Sequence, residues 1–207
     1  DHGVIYDSWV TTAHARTFDD TADHPSYSEA SCAACHTVGY GDVNAQGWER
    51  HNGGYDEVPL ARLAGVQCEN CHGPMADRYG NLLAGHESMG LGDSLYIAGT
   101  PEAPAGCGIC HESYASAAHA QGRAYVSEWS SGSHAQIPAG VDLDDRACVR
   151  CHTARGFIAR LDGRPIPLTE NPQPITCVAC HDPHGSVWSA DLRRGPTDDV
   201  CGRCHTD

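Results

Sequence analysis

The sequence predicts a mostly irregular, loop-rich chain with a few short α-helices and little or no β-sheet, organised around covalently attached groups rather than an aliphatic core. Three observations predict it. The 23 glycines and 12 prolines among 207 residues are enough to interrupt most long regular elements. Large apolar side chains are scarce, with two Phe and two Met. A five-residue unit, Cys-x-x-Cys-His, recurs six times and uses all twelve cysteines.

The copies are Cys32-Ala-Ala-Cys35-His36, Cys68-Glu-Asn-Cys71-His72, Cys107-Gly-Ile-Cys110-His111, Cys148-Val-Arg-Cys151-His152, Cys177-Val-Ala-Cys180-His181 and Cys201-Gly-Arg-Cys204-His205. This is the attachment signal of c-type haem: two thiols form thioethers to the porphyrin vinyl groups, and the adjacent imidazole becomes the proximal iron ligand. A zinc site or a redox-active dithiol also uses Cys-x-x-Cys, but neither requires a His directly after the second Cys. With 14 His in the chain, a chance His there in all six copies has a probability of roughly one in ten million. A disulfide framework gives no reason for the uniform two-residue spacing. Six haem c groups are therefore expected, with His36, His72, His111, His152, His181 and His205 as proximal ligands. Their porphyrin plates take the place of much of an aliphatic core.

The formal charge is -14, all thirteen basic residues are Arg, and haem propionates make the assembled protein more acidic still. That balance excludes nucleic-acid binding. No run of 18 apolar residues is present, so no transmembrane segment is expected. The chain begins at Asp1 and reads as an exported one whose signal peptide has been removed. Because c-type haem is attached after export, the expected location is extracellular or at the cell surface, with the periplasm as the alternative.

Along the chain, Asp23-His24-Pro25-Ser26 reads as a turn, a Gly- and Asn-rich stretch containing His51 follows the first motif, and residues 73–106 read as a long loop containing His86. Glu112–Trp129, Ala-rich with one Gly and no Pro, is the best helix candidate. The two halves repeat. Trp9-x4-His14-Ala15 recurs as Trp129-x4-His134-Ala135, and Thr37 after the first motif matches Thr153 after the fourth. Val66-Gln67-Cys68 through Pro74 matches Ile175-Thr176-Cys177 through Pro183, and Cys107-Gly108 matches Cys201-Gly202. The chain thus reads as a trihaem module used twice, over residues 1–118 and 119–207, forming one continuous haem-packed unit.

The repeat selects candidates for the sixth iron ligands. The second module offers His119, His134 and His184 for its three haems, and these match His2, His14 and His86 of the first. These six are the expected distal ligands; His24 and His51 have no counterpart and are the reserve for any of them. Met75 and Met89 are the alternative thioether ligands, which would raise an iron's potential.

The run Cys-x-x-Cys-His-Thr-x-Gly-Tyr, then Gly-Val-Gln-Cys-Glu-Asn-Cys-His-Gly-Pro, preceded by Trp-x4-His-Ala, resembles the multihaem cytochromes c related to the tetrahaem cytochrome c of nitrifiers. It also resembles the outer-surface cytochromes that polymerise into extracellular nanowires. The resemblance covers residues 9–86 and, more loosely, 129–184. It departs at His86, which lies 14 residues beyond His72, whereas relatives often place the next His a few residues after Gly-Pro. The resemblance implies closely spaced haems that pass electrons along a chain.

The expected function is therefore electron transfer without catalysis along six bis-His haems, in a protein that is not an enzyme. Expected partners are redox proteins or extracellular acceptors. His2 matches His119 at the joint between modules, so it is placed to ligate the C-terminal haem, on Cys201, Cys204 and His205, of a neighbouring copy. Repetition of that head-to-tail contact builds a filament. The alternatives are a soluble periplasmic electron carrier and a multihaem oxidoreductase with one open haem site.

Overall fold

The computed structural model describes residues 2–18, 30–38, 55, 61–72, 105–112, 124–195 and 200–205. They fall in two compact units, Asp1–Pro101 and Glu102–Asp207. As the sequence predicts, the described elements are short helices separated by turns. Extended backbone pairs, among the described residues, in two isolated antiparallel bridges, Thr37 with Ala64 and His181 with Leu192.

The N-terminal unit carries α1 (His2–Trp9), α2 (Ala13–Arg16), α3 (Ala30–His36) and α4 (Cys68–His72). Thr12 starts α2: its buried Oγ1 accepts the Ala15 N–H at 3.2 Å, satisfying one donor left open at a helix start. A 3-10 turn at Ala61–Leu63 leads into a segment that ties three helices together. Val38 N–H donates to the Leu63 carbonyl, Gly65 N–H to the His36 carbonyl and Val66 N–H to the His14 carbonyl, at 2.9, 2.9 and 3.0 Å. Gly65 permits this crossing, because its φ is +83° and a Cβ there would lie 2.6 Å from the Ala15 carbonyl oxygen.

The C-terminal unit carries α5 (Ala105–His111), α6 (Tyr125–Ser130), α7 (Arg146–His152), α8 (Ala154–Leu161) and α9 (Cys177–Cys180). Asp145 caps α7 by accepting the Ala147 N–H at 2.8 Å. Thr153 makes the corner into α8: its Oγ1 donates to the Val149 carbonyl at 3.0 Å and accepts the Gly156 N–H at 3.1 Å. Thr37, its match in the sequence repeat, makes the same bond to the carbonyl four residues back, Ala33, at 2.6 Å. From α8, Ala154 and Phe157 share a face and join Ala179 and Val200 in a small buried core, with Leu161, Ile175, Cys180 and Cys204 packed against it. This core connects the fourth, fifth and sixth motifs.

Within the helix expected over Glu112–Trp129, Tyr125–Ser130 is helical and Glu112 is a turn residue; residues 113–123 lie outside the described residues. Of the loop expected over 73–106, residues 105 and 106 begin α5 and the rest lies outside the described residues, as does the Asp23–Ser26 turn. The units divide at 101/102, ahead of the module boundary expected at 118, and α5 falls in the C-terminal unit, where it packs on α6. A Cβ on Gly108 would lie 3.0 Å from Val126 Cγ2.

Glu112 completes that contact. Its carboxylate accepts the Ser127 N–H at 2.9 Å and the Ser127 hydroxyl, and the hydroxyl bond chiefly holds its pKa below the usual value. A depressed carboxylate stabilises above its unfolded pKa, near 4.3, and that contribution is lost as pH falls through the folded value. Exchange of the Ser127 amide, measured by mass spectrometry relative to its intrinsic rate, should therefore accelerate as pH is lowered through this range. Ser127→Ala should flatten the dependence.

Candidate haem centres

In a helical turn, residues i and i+3 share a face and i+4 follows one turn on. Such a turn aims both cysteines of a Cys-x-x-Cys-His motif to one side. The first four motifs end α3, α4, α5 and α7, and the fifth forms α9 with His181 just beyond it. In the sixth, His205 N–H donates to the Cys201 carbonyl at 3.0 Å, the i+4 bond of the same turn. All twelve cysteine residues are at least partly exposed and no disulfide joins them.

The surroundings of His181 fit an iron ligand. Its Nδ1 lies 2.7 Å from the Ala190 carbonyl oxygen. A carbonyl only accepts, so Nδ1 carries the proton and Nε2 keeps its lone pair for a metal. That carbonyl is presented by two left-handed residues, Ala190 (φ 55°) and Asp191 (φ 51°), an arrangement that costs energy and is held from both sides. Asp182 N–H donates to the Asp191 carbonyl at 2.7 Å and Arg193 N–H to the Cys180 carbonyl at 2.8 Å. Arg193 Nη1 also bonds Asp182 Oδ2 at 2.8 Å. Among the described residues, the buried side-chain polar atom without a partner is Thr176 Oγ1, directly before Cys177, where it is available to a haem carboxylate. Cysteine pair, oriented imidazole and orphaned hydroxyl all suit a covalently held haem, which when bound supplies a one-electron iron couple.

Thiols of different motifs meet within the C-terminal unit. A hydrogen bond with Cys107 lowers the Cys177 thiol to about 7. Burial, reinforced by Cys151, pushes Cys204 up to about 11. Burial likewise raises Cys180, with Cys201 beside it. Arg160 Nη1 lies 3.0 Å from Cys151 Sγ. The third motif therefore adjoins the fifth, the fourth adjoins the sixth, and the fifth adjoins the sixth. In the N-terminal unit, Asn70, inside the second motif, donates from Nδ2 to the carbonyl of Thr37, which follows the first, at 2.9 Å.

Of the expected distal ligands, His14 is half-buried, and consecutive backbone donors, Gly65 and Val66, hold the His36 and His14 carbonyls. The His134 ring centre lies 6.0 Å from that of His205. His184 is exposed beside Asp182, with Nδ1 3.7 Å from Oδ1. His2 is the first residue of α1. His24, His51, His86, His119, Met75 and Met89 lie outside the described residues. The sequence reading missed the Ala190 carbonyl, which no motif signals, and Tyr125, whose ring meets that of His111 edge-on at 6.0 Å. The buried hydroxyls of Thr37 and Thr153 were findable, since Thr follows His at both matched motifs.

Residues 2–73 match the family model described as Cytochrome c554 and c-prime, and residues 167–207 match that described as Doubled CXXCH motif. The chain is also similar to the Multiheme cytochrome MtrA of Shewanella baltica (strain OS185), at 24% identity over 152 residues, which are 70% of this chain and 44% of that protein. It thus spans less than half the length of that relative. No solved structure matches. Among the described residues, no helix is long and apolar enough to cross a membrane.

Proposed function

We propose that this multihaem c-type cytochrome moves single electrons along six haems, each held by two imidazoles, and performs no chemistry on a substrate. The observation that carries the reading is the adjacency of attachment motifs: Cys107 with Cys177, Cys151 with Cys204 and Cys180 with Cys201. Neighbouring attachment points favour electron exchange between the groups they hold. The cysteines fix each group's position, the motif histidines supply one axial nitrogen, and His2, His14, His86, His119, His134 and His184 supply the other. Donors and acceptors are then redox proteins or extracellular acceptors that meet an exported, acidic protein at its surface.

The absorption and magnetic resonance spectra of the ferric holoprotein test this reading. Wholly low-spin iron that ignores carbon monoxide after reduction is expected. A high-spin signal or carbon monoxide binding at one iron in six would favour the oxidoreductase alternative.

A second reading, assembly into an extracellular filament, rests on the match of His2 with His119 in the sequence and on the exposed apolar side chains Val4 and Tyr6 of α1, which follow His2. His2 of one copy would then reach an iron of the next. Deleting residues 1–3 should disperse filaments seen by electron microscopy, and filaments of unchanged length would exclude His2 as the link.

A further inference from the structure

His134 and His205 belong to different parts of the C-terminal unit, yet their ring centres lie 6.0 Å apart with planes inclined by 49°. Two imidazoles on opposite sides of one metal ion have centres about 6 Å apart, because each metal–nitrogen bond is about 2 Å and each ring centre lies about 1 Å beyond its nitrogen. His205 is the motif histidine next to Cys204, whereas His134 belongs to no motif. We infer that His134 supplies the sixth ligand to the iron of the haem held by Cys201, Cys204 and His205. The inference rests on the bis-imidazole reading above and specifies which iron this histidine serves.

Both rings are placed by independent anchors. Trp129 Nε1–H donates to the Ile175 carbonyl at 2.8 Å, pinning the end of α6 to the segment that enters the fifth motif. The chain then turns sharply: Gly132 N–H donates to the Trp129 carbonyl at 2.8 Å, and a Cβ on Gly132 would lie 3.2 Å from that oxygen. The 3-10 turn Ser133–Ala135 follows with His134 at its centre. On the other side, Val200 belongs to the buried core and Cys204 packs against it, which fixes the turn that ends at His205. Trp129 is thus a positioning residue, and the spacing Trp-x4-His gives the distance between anchor and ligand.

This pairing fills the His205 iron from within its own chain. It therefore competes with His2 of a neighbouring copy for the same coordination position, and a filament link through His2 would have to use another iron.

The test uses the full-length holoprotein. His134→Ala should turn one iron in six from low to high spin and let it bind carbon monoxide, and added imidazole should restore the low-spin state. His134→Met, which keeps a donor in place, should stay low-spin and raise the potential of one haem. Trp129→Phe, which keeps an aromatic ring and loses the N–H, should give a partial high-spin signal that a purely structural role would not. In a Cys201→Ser, Cys204→Ser background, His134→Ala should add no high-spin iron. Fully low-spin His134→Ala protein overturns the assignment, as does a new high-spin signal from His134→Ala in that background. Conversion of the His205 iron to high spin on deleting residues 1–3 overturns it in favour of a neighbour's His2. A wild-type protein that already binds carbon monoxide defeats the bis-imidazole reading instead, a result distinguishable from failure of the pairing.

Discussion

Gly65→Ala should lower the stability of the holoprotein by roughly 3–5 kcal/mol, among the largest effects expected of a single substitution. Holding a residue with a Cβ at φ +83° costs about 1–2 kcal/mol. The new methyl would lie 2.6 Å from the Ala15 carbonyl oxygen, a backbone atom that cannot swing aside. The segment must therefore shift, weakening the Gly65–His36 and Val66–His14 backbone bonds, each worth about 1 kcal/mol. At about 2–4 °C per kcal/mol for a chain of this size, Tm should fall by roughly 10 °C. On the proposed ligation by His14, high-spin iron should appear with it, because the segment bonded to the His14 and His36 carbonyls has moved. Gly140→Ala is the control: its φ is +93° and nothing lies within 4 Å of the added methyl, so only the conformational cost of about 1–2 kcal/mol applies.

Gly156→Ala sets two effects against each other. Gly156 lies within α8 at ordinary helical φ, where helix propensity alone favours alanine by about 1 kcal/mol. Yet a Cβ there would run into the Val149 carbonyl oxygen and lie 2.8 Å from Thr153 Oγ1. Contacts that close force α7 and α8 apart at the Thr153 corner and pull Phe157 from the core. Burial of a side chain of that size is worth about 1.5–3 kcal/mol, and the overpacking costs about 1–3 kcal/mol more, so sterics win. A clear fall in the thermal midpoint is expected; a variant as stable as the wild type would show that the corner has room.

The motifs made the candidate attachment sites legible, because their fixed spacing fits one helical turn, and that geometry is supplied locally. The loop-rich character was legible for the same reason: with so much Gly and Pro and so few large apolar residues, few long elements can form. The partnership of His134 with His205 was not. It depends on the Trp129–Ile175 bond and on the packing of Cys204, contacts between residues far apart in sequence. Nor could composition show where the helical candidate breaks, since Glu112 instead turns its carboxylate onto Ser127. Sequence matches suggest which residues correspond, while packing decides which elements adhere, and α5 adheres to α6 across the module boundary expected at 118.

The intact mass of the denatured holoprotein is the most direct test, because every role assigned here begins with haem attached at each motif. The mass should exceed that of the haem-free polypeptide by six haems, and digestion should give six Cys-x-x-Cys-His peptides carrying one haem each. Five or fewer haems, or any motif peptide recovered without one, would contradict the account.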